Sequence, residues 1–213
     1  MKILDPDTSY TFSKFFDLKI EPKDLAETFT YTFERKKLSL PQHSGDLDRL
    51  QDIQERIEKL LPYVSLSNES ARREALIAPI IFELIYYIKL EINIEYSIKV
   101  TDQLQGTLDY FLDASNQVLI VEAKKADLDY GMTQLCAELI ALDQWDNTPS
   151  TQSHLIGGVT TGKIWEFARL DRSKKHIEQG LESYRVPEDI EPLMRILIDA
   201  LTRRPQGTSL PGH

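Results

Sequence analysis

A single cysteine, Cys136, occurs in the 213 residues, which excludes an intrachain disulfide and the small cross-linked scaffolds that depend on one. Cys136 lies in the apolar run GMTQLCAELIAL, where its expected part is that of a small hydrophobic side chain. No run of about 18 apolar residues occurs, and the start MKILDPDTSYTF sets two aspartates where a secretory signal needs an apolar stretch. No membrane partner is expected, and the cytoplasm is the expected location. Glycine and proline are sparse, at 9 and 10 residues, and no repeat or low-complexity block occurs, which removes the fibrous and disordered classes. Excess positive charge is also missing, because 34 acidic against 25 basic residues leave a formal net charge of -9. Tight, sequence-blind coating of nucleic acid is thereby not expected, since its affinity comes from phosphate neutralisation by Lys and Arg. A metal site on nucleic acid is not excluded, since clustered carboxylates count as acidic until a cation joins them. His43, His154, His176 and His213 show neither metal-ligand spacing nor a nucleophile to serve.

What is present reads as one α/β domain with additions. The 41% hydrophobic and 28% charged content is that of a chain folding around a buried core. Residues 1–62 read as an N-terminal helical extension packed on the core, 63–186 as the core, and 187–213 as a C-terminal helix and flexible tail. Leu47, Leu50, Ile53, Ile57, Leu60 and Leu61 recur at helical spacing over 46–61, before Pro62. A second helix is predicted to start at Ser67-Asn68, where a short polar side chain can cap it, and to bend or divide at Pro79. After Lys89 the period shortens. NIEYSIKV, QGTLDYFLDAS and NQVLIVEAKK predict a three-stranded antiparallel meander. A helix over 127–145 follows, then strands at SHLIGGVTT and KIWEFARL around the turn Thr161-Gly162.

Chemistry concentrates at the end of the third meander strand. Alternation puts Val118, Ile120, Glu122 and Lys124 on one face and Leu119, Val121 and Ala123 on the other. Both faces are apolar, as in a central strand covered on both sides, so an acid and an amine at its end require a use. Asp109 is likewise a charge inside a strand pattern. The midpoint of positions 109 and 122 is 115.5, at the turn Ser115-Asn116, so a hairpin closed there sets Asp109 opposite Glu122. Two carboxylates this close repel one another, and a divalent cation resolves the conflict. Mg²⁺, or Mn²⁺ in its place, suits hard oxygen ligands and retains waters. Glu74 is placed by helical spacing from Ile77 and Ile81 towards the packed side of its helix, close enough to assist.

Gly106-Thr107-Leu108-Asp109 followed by Glu122-Ala123-Lys124 resembles the G-x-x-D... (D/E)-x-K signature of the PD-(D/E)XK nucleases. The superfamily includes restriction endonucleases, Holliday-junction resolvases and RecB-type nucleases, and the likeness runs over about residues 67–170. It extends to uncharacterised bacterial, apparently cyanobacterial, proteins of this superfamily. The resemblance implies a restriction-endonuclease-like mixed sheet core in the order helix, three antiparallel strands, helix, strand. It also implies that Asp109 and Glu122 hold metal, that Lys124 is the catalytic amine, and that a helix glutamate assists. Glu74 in REALIAPII matches that glutamate, and Glu69 in SNESARREALIAP fits nearly as well. Gln134 resembles the substrate-binding glutamine of a Q-xxx-Y motif, with Glu138 where the tyrosine stands. GGVTTGKIWEFARL resembles the strand pair that ends type I restriction-like nuclease domains.

The expectation is a Mg²⁺-dependent nuclease acting on DNA, with a homodimer suiting the cutting of both strands. Each feature also has a bland reading. Glu122 and Lys124 alone would be a solvated strand end, and Glu74 a salt-bridge partner for Arg72, Arg73 or Lys124. Trp145 and Trp165 read as core. The competing expectation is a non-catalytic nucleic-acid-binding or regulatory module that keeps the fold. A third is an interaction protein that pairs through its apolar helices.

Overall fold

The β-branched and aromatic segments of the chain form one seven-stranded mixed sheet in the order β1-β7-β6-β5-β4-β3-β2. The computed structural model describes residues 4–5, 8–114, 117–124 and 127–203. The expected turn at Ser115-Asn116, Lys125, Arg204 and the expected tail lie outside the described residues. The predicted meander is β2 (Glu91–Thr101), β3 (Leu104–Asp113) and β4 (Val118–Ala123), paired antiparallel in sequence. Helix α6 (Leu128–Gln144) carries the chain to β5 (His154–Thr160), which lies parallel to β4, and β6 (Ile164–Asp171) returns antiparallel.

Two further strands escape sequence reading. β7 (His176–Arg185) pairs with β6, and β1 (Thr32–Lys36) closes the edge parallel to β7. β1 lies inside the segment expected to be a helical extension. Residues 1–62 are thus not helical throughout, because short polar strands such as TFERK gain their stability from pairing and not from an apolar period.

Helices cover both faces, which is why β4 is apolar on both. On one side α3 (Leu50–Leu60), the segment from α4 (Glu69–Arg72) to α5 (Ala78–Glu83), and α7 (Ile190–Thr202) bury Ile53, Ile57, Leu76, Ile80 and Leu197 against Leu119, Val121 and Ala123. On the other, α1 (Phe12–Asp17), α2 (Pro22–Thr28) and α6 bury Phe12, Phe15, Leu25, Leu135 and Leu139 against Val118 and Ile120. Cys136 is fully buried there, and burial pushes its thiol up to about 12, as an inert core residue requires. Trp165 is fully buried, and Trp145 packs beside Tyr96 and Phe111.

The second predicted helix starts where expected. Asn68 caps α4, its Oδ1 accepting from the Ala71 N–H at 2.8 Å. Its interior departs from the expected pattern. A π-helical turn over Arg73–Ile77 separates α4 from α5, immediately before Pro79 in the first turn of α5. Among the described residues no helix is long and apolar enough to cross a membrane.

Candidate active site

The site begins where β3 and β4 stop pairing. Their ladder runs from Asp113↔Val118 to Tyr110↔Val121, and one further step in that register sets Asp109 opposite Glu122. There the backbones part, and the Asp109 side chain replaces the missing ladder bond, its Oδ2 accepting from the Ala123 N–H at 2.8 Å. On its other flank the β2–β3 ladder skips Glu95, whose φ of 52° puts it in the left-handed region. Asp109 thus sits where the sheet opens on both sides, although it belongs to the middle of a strand.

The opening is a cleft of about 320 Å³. Asp109, Glu122, Lys124 and Gln134 line it from the strand ends and from α6, and Glu69 from α4. Thr11, Ser13 and Thr107 add hydroxyls. Gly106 allows the N-terminal segment to form this wall: its φ is +145°, and a Cβ there would lie 3.0 Å from Phe12 N. Thr11 in turn bridges Gln105 alongside β3.

Glu122 is nearly inaccessible, at 2% exposure, and its Oε1 takes two donors: Lys124 Nζ at 2.6 Å and Gln134 Nε2 at 2.7 Å. Its Oε2 has no hydrogen-bond partner. Burial raises the Glu122 pKa well above the ordinary range, and the Glu138 and Asp109 charges add to the rise against Lys124. Burial works against the Lys124 charge, yet the adjoining Glu122 carboxylate outweighs it and raises the lysine pKa. Lys124 is therefore an ammonium. Its stem crosses Gly131 in the first turn of α6, where a Cβ would come within 3.1 Å of Lys124 Cγ, and its Nζ lies 5.1 Å from the Phe16 ring centre.

Glu74 is not in this cleft. It is exposed, and it lines a separate groove of about 410 Å³ with Arg49, Arg56, Glu83 and Tyr86. The π turn explains the misplacement. Counting back from Ile77 and Ile81 in steps of three and four assumes an unbroken α-helical phase, and the wider turn over Arg73–Ile77 shifts it. Glu69, in α4 before the π turn, reaches the cleft instead. Arg73, weighed above as a partner for Glu74, has its Nη1 3.6 Å from Asp109 Oδ1 and 3.3 Å from Glu95 Oε1. In the larger groove Glu83 meets Arg49 at 2.6 Å and Arg56 at 3.6 Å.

No protein-family model and no curated protein matches the chain.

Several site residues carry no sequence signal of their own. Glu138 was visible only as the residue standing where a tyrosine would be, yet it is fully buried and its Oε1 accepts from Gln134 Nε2 at 2.9 Å. Burial pushes its carboxyl up to about 7, against the opposing hydrogen bonds with Gln134 and Glu122 and the Lys124 charge. The available hint was an acid within GMTQLCAELIAL, a helix that reads as apolar on all sides. Thr11, Ser13 and Arg73 reach the site through tertiary packing alone. Among the described residues, one trio has ligand atoms within 4.8 Å of each other, Glu34, His176 and Glu178. It arises because parallel pairing sets Glu34 beside Glu178, residues far apart in the chain. Lys36 bonds both acids, at 3.2 and 3.0 Å, and Arg169 bonds Glu178, so this trio already has its cations.

Proposed function

We propose that this chain is a divalent-metal-dependent nuclease with a restriction-endonuclease-like core, acting on DNA through Asp109, Glu122 and Lys124. The observation that carries the reading is the convergence of two carboxylates and an ammonium at the splayed end of a buried hairpin, on an open cleft that Glu69 also lines. The order of elements supports it, with a helix, the meander β2-β3-β4, the crossover α6 and the parallel strand β5.

The donor set fits a hard cation. The carboxylates are oxygen ligands, and Glu122 Oε2 is a buried oxygen without a partner. No three of these acids bring ligand atoms within 4.8 Å, so the side chains supply two carboxylates and leave other positions to water and phosphate, as Mg²⁺ prefers. Asp109 and Glu122 would hold Mg²⁺ or Mn²⁺, with Glu69 assisting, and the bound ion would acidify a water and offset phosphoryl charge. The protein's own groups do the positioning. The Ala123 N–H orients Asp109, and Lys124 and Gln134 orient Glu122. The Lys124 ammonium stabilises negative charge developing on the phosphate. The hydroxyls of Thr11, Ser13 and Thr107 offer uncharged donors to the backbone on either side.

The second reading, a non-catalytic module on the same fold, draws support from internal compensation. Lys124 pairs with Glu122, Arg73 lies beside Asp109, and the chain is acidic overall. Incubation with linear, circular and single-stranded DNA and with RNA, in Mg²⁺, Mn²⁺ or EDTA, separates the two. Metal-dependent cleavage that falls by at least about a hundredfold in Lys124→Ala is expected. Intact substrates throughout, with no rise in melting temperature on adding Mg²⁺, would reject the nuclease reading in favour of the module.

A further inference from the structure

We infer that Glu138 is a positioning residue that, through Gln134 and by its own contact, holds the metal-binding carboxylate of Glu122, so that Gln134 serves the metal site and not the substrate. The inference rests on the nuclease reading. Gln134 and Glu138 lie four residues apart on α6, and both are buried. One nitrogen, Gln134 Nε2, donates to Glu122 Oε1 at 2.7 Å and to Glu138 Oε1 at 2.9 Å. A side-chain amide has two N–H donors, so both are committed to carboxylates and neither remains for a phosphate or a base. The orientation of the amide follows from the same contacts, because a reversed amide would face its carbonyl oxygen towards two acceptor oxygens. Glu138 is therefore what keeps the amide turned towards Glu122.

The consequence falls on Glu122. With Lys124 and Gln134 both on Oε1, the oxygen left without a partner is Oε2. Gln134 Oε1 and Glu138 Oε2 are buried and have no donor or acceptor of their own, so Glu138 and Glu122 are the contacts that orient the amide, and the Glu138 and Glu122 carboxyls also meet directly. Removing the Glu138 acceptor frees the amide to rotate and leaves Lys124 as the one donor holding Glu122. Partners behind a metal ligand tune affinity by about tenfold to a hundredfold.

The test is calorimetric titration of the full chain with Mn²⁺, with kcat and KM on DNA measured alongside. Glu138→Leu should weaken Mn²⁺ binding by about tenfold or more and lower kcat while leaving KM for DNA within about twofold. Glu138→Gln keeps an acceptor of the same size and should bind Mn²⁺ within about threefold of the natural chain. Gln134→Leu should also weaken Mn²⁺ binding, and the double variant should lose less than the two single losses combined, since both residues hold one carboxylate. If Glu138→Leu fails to fold, Gln134→Met carries the same expectation. Natural binding with unchanged affinity in the Leu variants, or additive losses in the double variant, overturns the inference and leaves the nuclease reading intact. Absence of Mn²⁺ binding by the natural chain overturns the nuclease reading, and the inference with it.

Discussion

In EDTA the buried Glu138 carboxyl makes folding depend on pH in a calculable direction. Its pKa rises from an ordinary 4.5 to about 7 in the folded protein, chiefly through burial. Between those values the folded state keeps a proton that the unfolded chain has released. Stability is therefore fully present below pH 4.5, is lost as pH rises, and levels off above about 7. At 1.36 kcal/mol per unit the full loss is about 3 kcal/mol, of which about 2 kcal/mol falls between roughly pH 5.5 and 8. For a chain of this length that is a fall of roughly 4–8 °C in melting temperature. Glutamine cannot ionise, so Glu138→Gln should lack this component. Melting curves of the two proteins in EDTA across that pH range measure the difference, which should grow by about 2 kcal/mol towards alkaline pH. Parallel curves would refute the placement of an ionisable carboxyl where burial outweighs its hydrogen bonds. Glu122 is shifted in the same direction, so Mg²⁺ should raise the melting temperature more at alkaline than at acid pH.

Two further predictions concern the walls of the cleft. Gly131→Ala introduces a Cβ 2.8 Å from Val159 Cγ2 and 3.1 Å from Lys124 Cγ, so it should displace the Lys124 stem. Cleavage should fall by about tenfold or more while stability changes by no more than about 2 kcal/mol, because the helix gains propensity as the contact strains it; an unchanged rate would show that Lys124 has no fixed seat. Glu69→Ala should weaken Mn²⁺ binding by roughly tenfold, and Glu74→Ala should leave it within about twofold. The reverse ranking in a titration would return the helix carboxylate to Glu74.

How far the site was legible depended on the kind of order involved. The β3–β4 register followed from alternation and the position of one turn, since a shift of one residue would have exchanged every side chain between the two covered faces. Asp109 and Glu122 could therefore be paired without coordinates. The helix glutamate could not be chosen in the same way, because periodicity assumes a constant 100° per residue and the π turn at Arg73–Ile77 breaks it. The strands β1 and β7 were invisible for a related reason. TFERK becomes a strand through partners 144 residues away in the chain, as Thr32↔His176 shows, and HIEQGLESYR lies between it and β6; local composition does not record such pairing.

By itself the amino-acid sequence determined the central hairpin, its two apolar faces, the crossover helix, and the three charges at the end of β4. These are local patterns whose cost, if misplaced, would fall on residues adjacent in the chain. Tertiary structure alone decided that Glu69 faces the cleft and Glu74 does not, and that the N-terminal segment supplies Thr11 and Ser13. It also decided that Gln134 commits both donors to Glu122 and Glu138. Each of those outcomes depends on how distant segments pack around buried charge, where partners at 2.6 to 2.9 Å outweigh local preference.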